Sequence, residues 1–170
     1  KNQINMENDK MTSNDYFKSV QIIHLALIAG VVILGIFTFS FHTSGLEMDG
    51  GKELNFALIY VVPVFTIAGI IASNLVFNQK LKDCIARPNL KEKLNCYRSA
   101  LIVKFSFIEG SSFFALIAFL LTGDLLYLGF AALLLIVFIT YTPSKEKSIV
   151  DLELTQAEKQ IIFDADAIID

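Results

Sequence analysis

The sequence predicts an all-α integral membrane bundle: four transmembrane helices in two antiparallel hairpins, with a short cytoplasmic helix in the C-terminal tail. Three observations predict it. Of 170 residues, 54% are hydrophobic and only 18% charged, too apolar for a soluble domain of this size. Four stretches, residues 20–41, 55–77, 99–121 and 125–142, are apolar and near the length of about 20 residues that a bilayer needs. Between the second and third stretches lies a polar connection dense in Lys and Arg, the mark of the cytoplasmic side of a membrane protein.

Residues 1–15 form a polar tail of mixed charge without the basic start and short apolar run of a secretory signal. The first span, 20–41, carries no charge apart from a proton on His24. A link over 43–54 with Gly45, Gly50 and Gly51 leads to the second span, 55–77, which carries no charge. Within that span Pro63 lacks an amide proton and should bend the helix opposite the carbonyl near Ile59. Ser73, Asn74 and Asn78 make its inner end polar, as suits a helix terminus. The third span, 99–121, contains Lys104 and Glu109; the fourth, 125–142, is uncharged. All four must be helical, because lipid offers no partner to open backbone amides and carbonyls. Thr122, Gly123 and Asp124 leave room only for a tight turn, which makes the last two spans antiparallel neighbours.

Basic residues orient the chain. The middle connection holds Lys80, Lys82, Arg87, Lys91, Lys93 and Arg98, whereas the first link holds only Lys52 and the last turn none. Lys10 and Lys18 before the first span, and Lys145 and Lys147 after the fourth, agree with an even number of crossings. The expected location is the plasma (inner) membrane with both termini cytoplasmic. The chain divides into a tail at 1–15, a membrane domain at 16–143 and a cytoplasmic tail at 144–170. In the last, Thr155 and Glu158 have capping-box spacing and predict a helix start. Ala157, Ile161, Ile162 and Ala165 then form an apolar stripe, resting on the membrane or a partner; the alternative is a solvated tail, since Asp164, Asp166 and Asp170 are acidic.

A net charge of −3 and scattered basic residues argue against nucleic acid as a partner. Cys84 and Cys96, without a nearby His pair, do not complete a zinc site and are expected as reduced structural thiols. No residues combine nucleophile, base and oxyanion partner, so no enzyme, metal or cofactor is expected. One residue invites a functional reading. Glu109 lies ten residues into its span, roughly 15 Å deep at ~1.5 Å per residue, near the middle of the hydrocarbon. An acid there costs about 2.5 to 3.5 kcal/mol on insertion scales, so it should face protein or water. Ser106 and Ser112, three residues to either side, are expected to hydrogen-bond it; the group is then a proton or cation relay, or a neutral acid that ties helices together. Lys104 stands about 140° round the helix from Glu109 and should snorkel to the surface. His24, at a shallow depth, reads as structural.

Laid over each other with a shift of eighty positions, the first and third spans match at Ser19 and Ser99, Ile22 and Ile102, Ile28 and Ile108, Gly30 and Gly110, and Phe39 and Phe119. These matches fit a tandem repeat of hairpins, or the shared composition of two apolar helices. On the repeat reading, Gly30 and Gly110 let the first and third helices cross closely.

The second span, the basic connection with Arg87 and Pro88, and the third span with Glu109 resemble, over residues 56–121, the hairpin of the proteolipid (c-ring) subunits of rotary ATPases. That resemblance implies Glu109 as the ion-binding carboxylate. Here Pro88 follows Arg87 directly, and the second span offers only Gly69 for close packing. The function expected is a non-enzymatic membrane protein of structural or complex-subunit type, partnered by lipid and by other copies or subunits; the alternative is an ion- or proton-translocating element centred on Glu109.

Overall fold

The structure, a computed structural model, describes residues 11–45 and 51–169, with the side chains at 51 and 52 also outside the description. Lys10 and the rest of 1–10, Gly50, and the side chain of Lys52 therefore lie outside the described residues. Six helices follow in order: α1 Ser13–Thr43, α2 Gly51–Ile85, α3 Leu90–Thr122, α4 Leu125–Thr140, α5 Lys145–Asp151 and α6 Gln156–Phe163. Among the described residues there is no strand, only an isolated bridge between Thr12 and Ile168.

Long apolar runs make the first three helices, and polar residues extend them. α1 has 31 residues, about 46 Å at ~1.5 Å each, well beyond a ~30 Å hydrocarbon core. Lys80 and Lys82 belong to α2, and Lys91 and Lys93 to α3. The connection expected over 78–98 is thus mostly helix, with the turn confined to residues 86–89. Asn89 starts α3 by accepting from the Glu92 amide at 2.9 Å, while its own side-chain amide donates to the Glu92 carboxylate. Pro63 lies inside α2, which continues through it.

Helix α3 is the centre. It packs most extensively on α2, then on α4 and α1, while α1 and α2 have almost no contact with each other among the described residues. Leu94, Leu101, Phe105, Ile108, Leu116 and Phe119 recur along α3 at helical spacing and are buried. By contrast Ile33, Ile36, Val64, Ile67 and Ile136 on its neighbours are exposed, which leaves the bundle apolar on its outside. α1, α2 and α3 are long and apolar enough to cross a membrane. α4 has 16 residues, and completes a fourth candidate span only together with α5, toward which the chain bends by 81°.

Among the described glycines, the tightest contact between helices is at Gly69 of α2. A Cβ there would lie 2.0 Å from Ser111 Oγ and 3.0 Å from Ser111 Cβ. The Ser111 hydroxyl sits between the carbonyls of Phe107, at 2.9 Å, and Phe65, at 3.5 Å, and so links the two helices. This corrects the expected crossing at Gly30 and Gly110. Gly110 faces open space, and a Cβ on Gly30 would make ordinary contacts at 3.7 Å to Glu109 and 3.8 Å to Phe113. The face that α3 turns to α1 carries Glu109, Phe113 and Leu116, and Gly110 lies about 100° further round. At the other end of the bundle Gly123 closes α3 with φ of 70°, and its amide donates to Phe119 at 2.8 Å. Asp124 then caps α4 through the Leu126 amide and accepts from Asn55 of α2.

Two expectations fail at the basic end. Cys84 and Cys96 are bonded as a disulfide, with Cα atoms 5.3 Å apart, rather than being free thiols. Because α2 and α3 both continue past the apolar runs, they bring the last turn of one beside the second turn of the other. Such a short cross-link removes about 3 kcal/mol of chain entropy from the unfolded state. The tail is not a solvated or frayed appendage but docks on the chain itself, with Ile162 of the expected stripe buried, Ile161 half-buried, and Ala157 and Ala165 exposed. α6 starts with the expected capping box of Thr155 and Glu158. Ser13 Oγ donates to the Ile162 carbonyl at 2.6 Å, and Met11 and Ile169 pair through the backbone. Leu152, Leu154, Ile162 and Ile169 are buried in one cluster with Tyr16 and Leu94, at roughly 1.5 to 3 kcal/mol for each large side chain.

Gly69→Ala should therefore lower stability by about 1 to 3 kcal/mol, since Ser111 Cβ cannot withdraw without moving α3. Gly30→Ala, which has room, should leave stability nearly unchanged or slightly improved through helix propensity. Thermal unfolding of both variants in one detergent, followed by circular dichroism, checks this; equal midpoints would refute the contact.

Candidate functional site

Two polar features lie within the helices, both on α3. The first is the carboxylate expected at mid-membrane. Glu109 is half-buried at the edge of the contact with α1, and among the described residues no hydrogen bond or ion pair reaches it. The serines expected to surround it are committed elsewhere: Ser106 Oγ donates to the Ile102 carbonyl at 2.9 Å and Ser112 Oγ to the Ile108 carbonyl at 2.8 Å. A helical serine reaches the carbonyl one turn back more easily than a side chain three residues on. Ser112 is buried and Ser106 exposed, so the two do not form one polar stripe with Glu109. Roughly 60° round α3 from Glu109, and without Glu109 in its lining, Ser106 and Gly110 border a shallow groove of about 230 Å³ whose α2 wall is Phe65, Ala68, Gly69 and Ala72.

The second feature is a cavity of about 380 Å³ at the basic end, where α2, α3 and α4 meet α5. Lys104 projects here, toward the basic end, and is half-buried. Its ammonium lies 4.4 Å from the centre of the Phe77 ring and 4.0 Å from that of Tyr141, a cation held by two aromatic faces. Among the described residues no carboxylate comes within ion-pair distance of it. Tyr97 Oη donates to Asp151 at 2.7 Å, and Lys147 Nζ donates to the carbonyls of Thr140 and Thr142, both at 2.9 Å, closing the end of α4. The Asn74 amide donates to Tyr141 Oη at 2.9 Å and fixes that ring. Two ammonium groups and one carboxylate thus share the lining.

Part of this site is legible in the sequence. Tyr97, Leu101 and Lys104 stand at intervals of four and three, on one face of a helix. Asp151 and Lys147 are not, because they reach the cavity only through the fold-back of α5. His24 is packed rather than placed for chemistry, with one ring nitrogen 3.1 Å from the Phe138 carbonyl and the ring against Phe105. No group of three or more His, Cys, Asp or Glu side chains gathers to hold a metal among the described residues. No protein-family model, curated protein or solved structure matches the chain.

Helix α6 is pinned to α3 by an ion pair, Lys93 Nζ to Glu158 Oε1 at 2.7 Å, mostly excluded from water. Partial burial opposes ionisation of Glu158, but hydrogen bonds from Lys93 and from the Thr155 amide and hydroxyl outweigh it and hold the carboxyl below its usual range. The contribution to stability is therefore complete above the unfolded value of about 4.3 and is lost as pH falls through the lower folded value. Amide hydrogen exchange over residues 156–163 should accelerate below about pH 4 and do so at higher pH in Lys93→Met. Exchange indifferent to both changes would show that the pair does not hold the tail.

Proposed function

We propose that this chain is a non-catalytic, four-span membrane subunit that associates with copies of itself through the groove beside Glu109. The observation that carries this reading is an uncovered strip of small residues on α2 and α3, with the unpartnered Glu109 carboxyl about 60° round α3 from Ser106 at its edge. α1 and α2 flank α3 without covering Ser106 and Gly110, and the α2 wall of the groove is Ala68, Gly69 and Ala72. Small residues let backbones of neighbouring membrane helices approach closely, and a polar group in hydrocarbon gains most from a partner at its own depth. Copies inserted in one orientation meet at equal depths, so the group that Glu109 meets is a second Glu109 or Ser106. A carboxylic acid there donates and accepts at once. The serine hydroxyls of the chain's own α3 already bond its backbone, which favours association over ion passage.

In this reading α4 completes the fourth crossing and the bundle forms two hairpins. The end that carries Lys80, Lys82, Arg87, Lys91 and Lys93 faces the cytoplasm of a bacterial-type inner membrane, as basic residues resist translocation. The disulfide is then on the reducing side, with Cys84 fully buried and Cys96 half-buried.

Gly110→Leu tests the association. The added side chain meets open space in the isolated chain, so the fold is kept, but it fills the strip. Wild type should run as a dimer or larger species in mild detergent by light scattering, and the variant should associate at least tenfold more weakly, about 1.4 kcal/mol. Equal masses would discard the proposal. Alkaline phosphatase fused after residue 170 should stay inactive in bacterial cells; an active fusion would invert the orientation.

A further inference from the structure

We infer that the cavity between α2, α3, α4 and α5 is a binding site for the phosphate of a phospholipid headgroup, with Lys104 as its principal contact. An ammonium inside a helix bundle needs a counter-charge, and Lys104 has aromatic faces but no carboxylate at ion-pair distance among the described residues. A phosphate oxygen supplies that charge. Lys147 of α5 adds a second cation to the lining, and Tyr141 and Asn78 add neutral polar groups. Phe77, Leu101 and Pro143 form the apolar remainder of the lining. Such a mixed pocket suits a polar head continued by hydrocarbon better than a free ion.

The position agrees with that source. Lys104 lies five residues inside the start of the apolar run at residue 99, about 7 Å along the helix, and Tyr97 and Tyr141 mark the depth at which aromatic residues meet headgroups. Asn78, Thr140 and Lys147 are exposed, so the site is reached from outside without opening the bundle. Asp151 opposes an anion, but its charge is partly engaged by the Tyr97 hydroxyl at 2.7 Å. Two cations against one carboxylate leave the lining net positive. The site is separate from the groove beside Glu109, and stands or falls without the association proposed there.

Native mass spectrometry of the whole chain in dodecyl maltoside, titrated with phosphatidylglycerol, reads the site directly. Wild type should retain one lipid more tightly than the rest, and Lys104→Met, which keeps the length and removes the charge, should weaken that first binding about tenfold. Lys80→Met removes an exposed charge outside the cavity and should leave it unchanged. Asp151→Asn should tighten the first binding several-fold, an effect in the opposite direction from damage to the fold. Titration with inorganic phosphate separates the sources: displacement of the lipid only by phosphate far above the lipid concentration supports a headgroup site, whereas displacement at equal concentration overturns the lipid in favour of the free ion. Equal loss in Lys104→Met and Lys80→Met, or no tightening in Asp151→Asn, overturns the site.

Discussion

The close contact of α2 with α3 at Gly69 is the constraint on which the rest of the bundle depends. In lipid, no hydrophobic force draws one apolar helix onto another, because the tails are as apolar as the side chains. Packing must then come from shape, and shape needs the backbones near each other. Gly69 removes the Cβ that would strike Ser111, and the Ser111 hydroxyl falls between carbonyls of both helices. With α2 held on one flank of α3, α1 and α4 occupy others, and α1 has almost no contact with α2 among the described residues. The open strip of α3 is a direct consequence of that arrangement. A helix as apolar as α3 could otherwise be surrounded on all sides.

The two charged residues within the third span illustrate how depth and direction separate their roles. Glu109 and Lys104 are five residues apart and face different neighbours, the one α1 and the open strip, the other the cavity under α5. Neither neutralises the other. Lys104 is steadied by two aromatic rings, which provide attraction without a counter-ion, and Glu109 has an exposed approach through which a donor at its own depth can reach it. Among the described residues Glu109 has no partner, and Lys104 has Asp151 in the same cavity but no carboxylate within ion-pair distance.

The basic end is tied together more firmly than a connection of polar residues would require. The disulfide joins the ends of α2 and α3, the Tyr16 hydroxyl donates to the Leu94 carbonyl at 2.6 Å, and α6 is held by Ser13 and Lys93. These links have a purpose in the geometry: they set α5 across the mouth of the cavity, with Lys147 and Asp151 in its lining. A frayed tail would leave Lys104 on an open surface.

The sequence by itself determined that the chain is helical, which long runs could cross a membrane and where α6 begins, because each depends on local information. Lipid forbids unpaired backbone, a bilayer demands length, and a capping box spans four residues. Glu109 was legible as the one deep acid, and Tyr97, Leu101 and Lys104 as one helical face, for the same reason. Only the tertiary structure decided what those residues meet. That α2 and α3 run on as helix past their apolar stretches, and so bring Cys84 to Cys96, was hidden under the charge of the connection. That Gly69 rather than Gly30 and Gly110 makes the tightest contact depends on the rotation of each helix about its axis. A hydrophobic pattern leaves that rotation open when every face is apolar, and side-chain shape alone settles it.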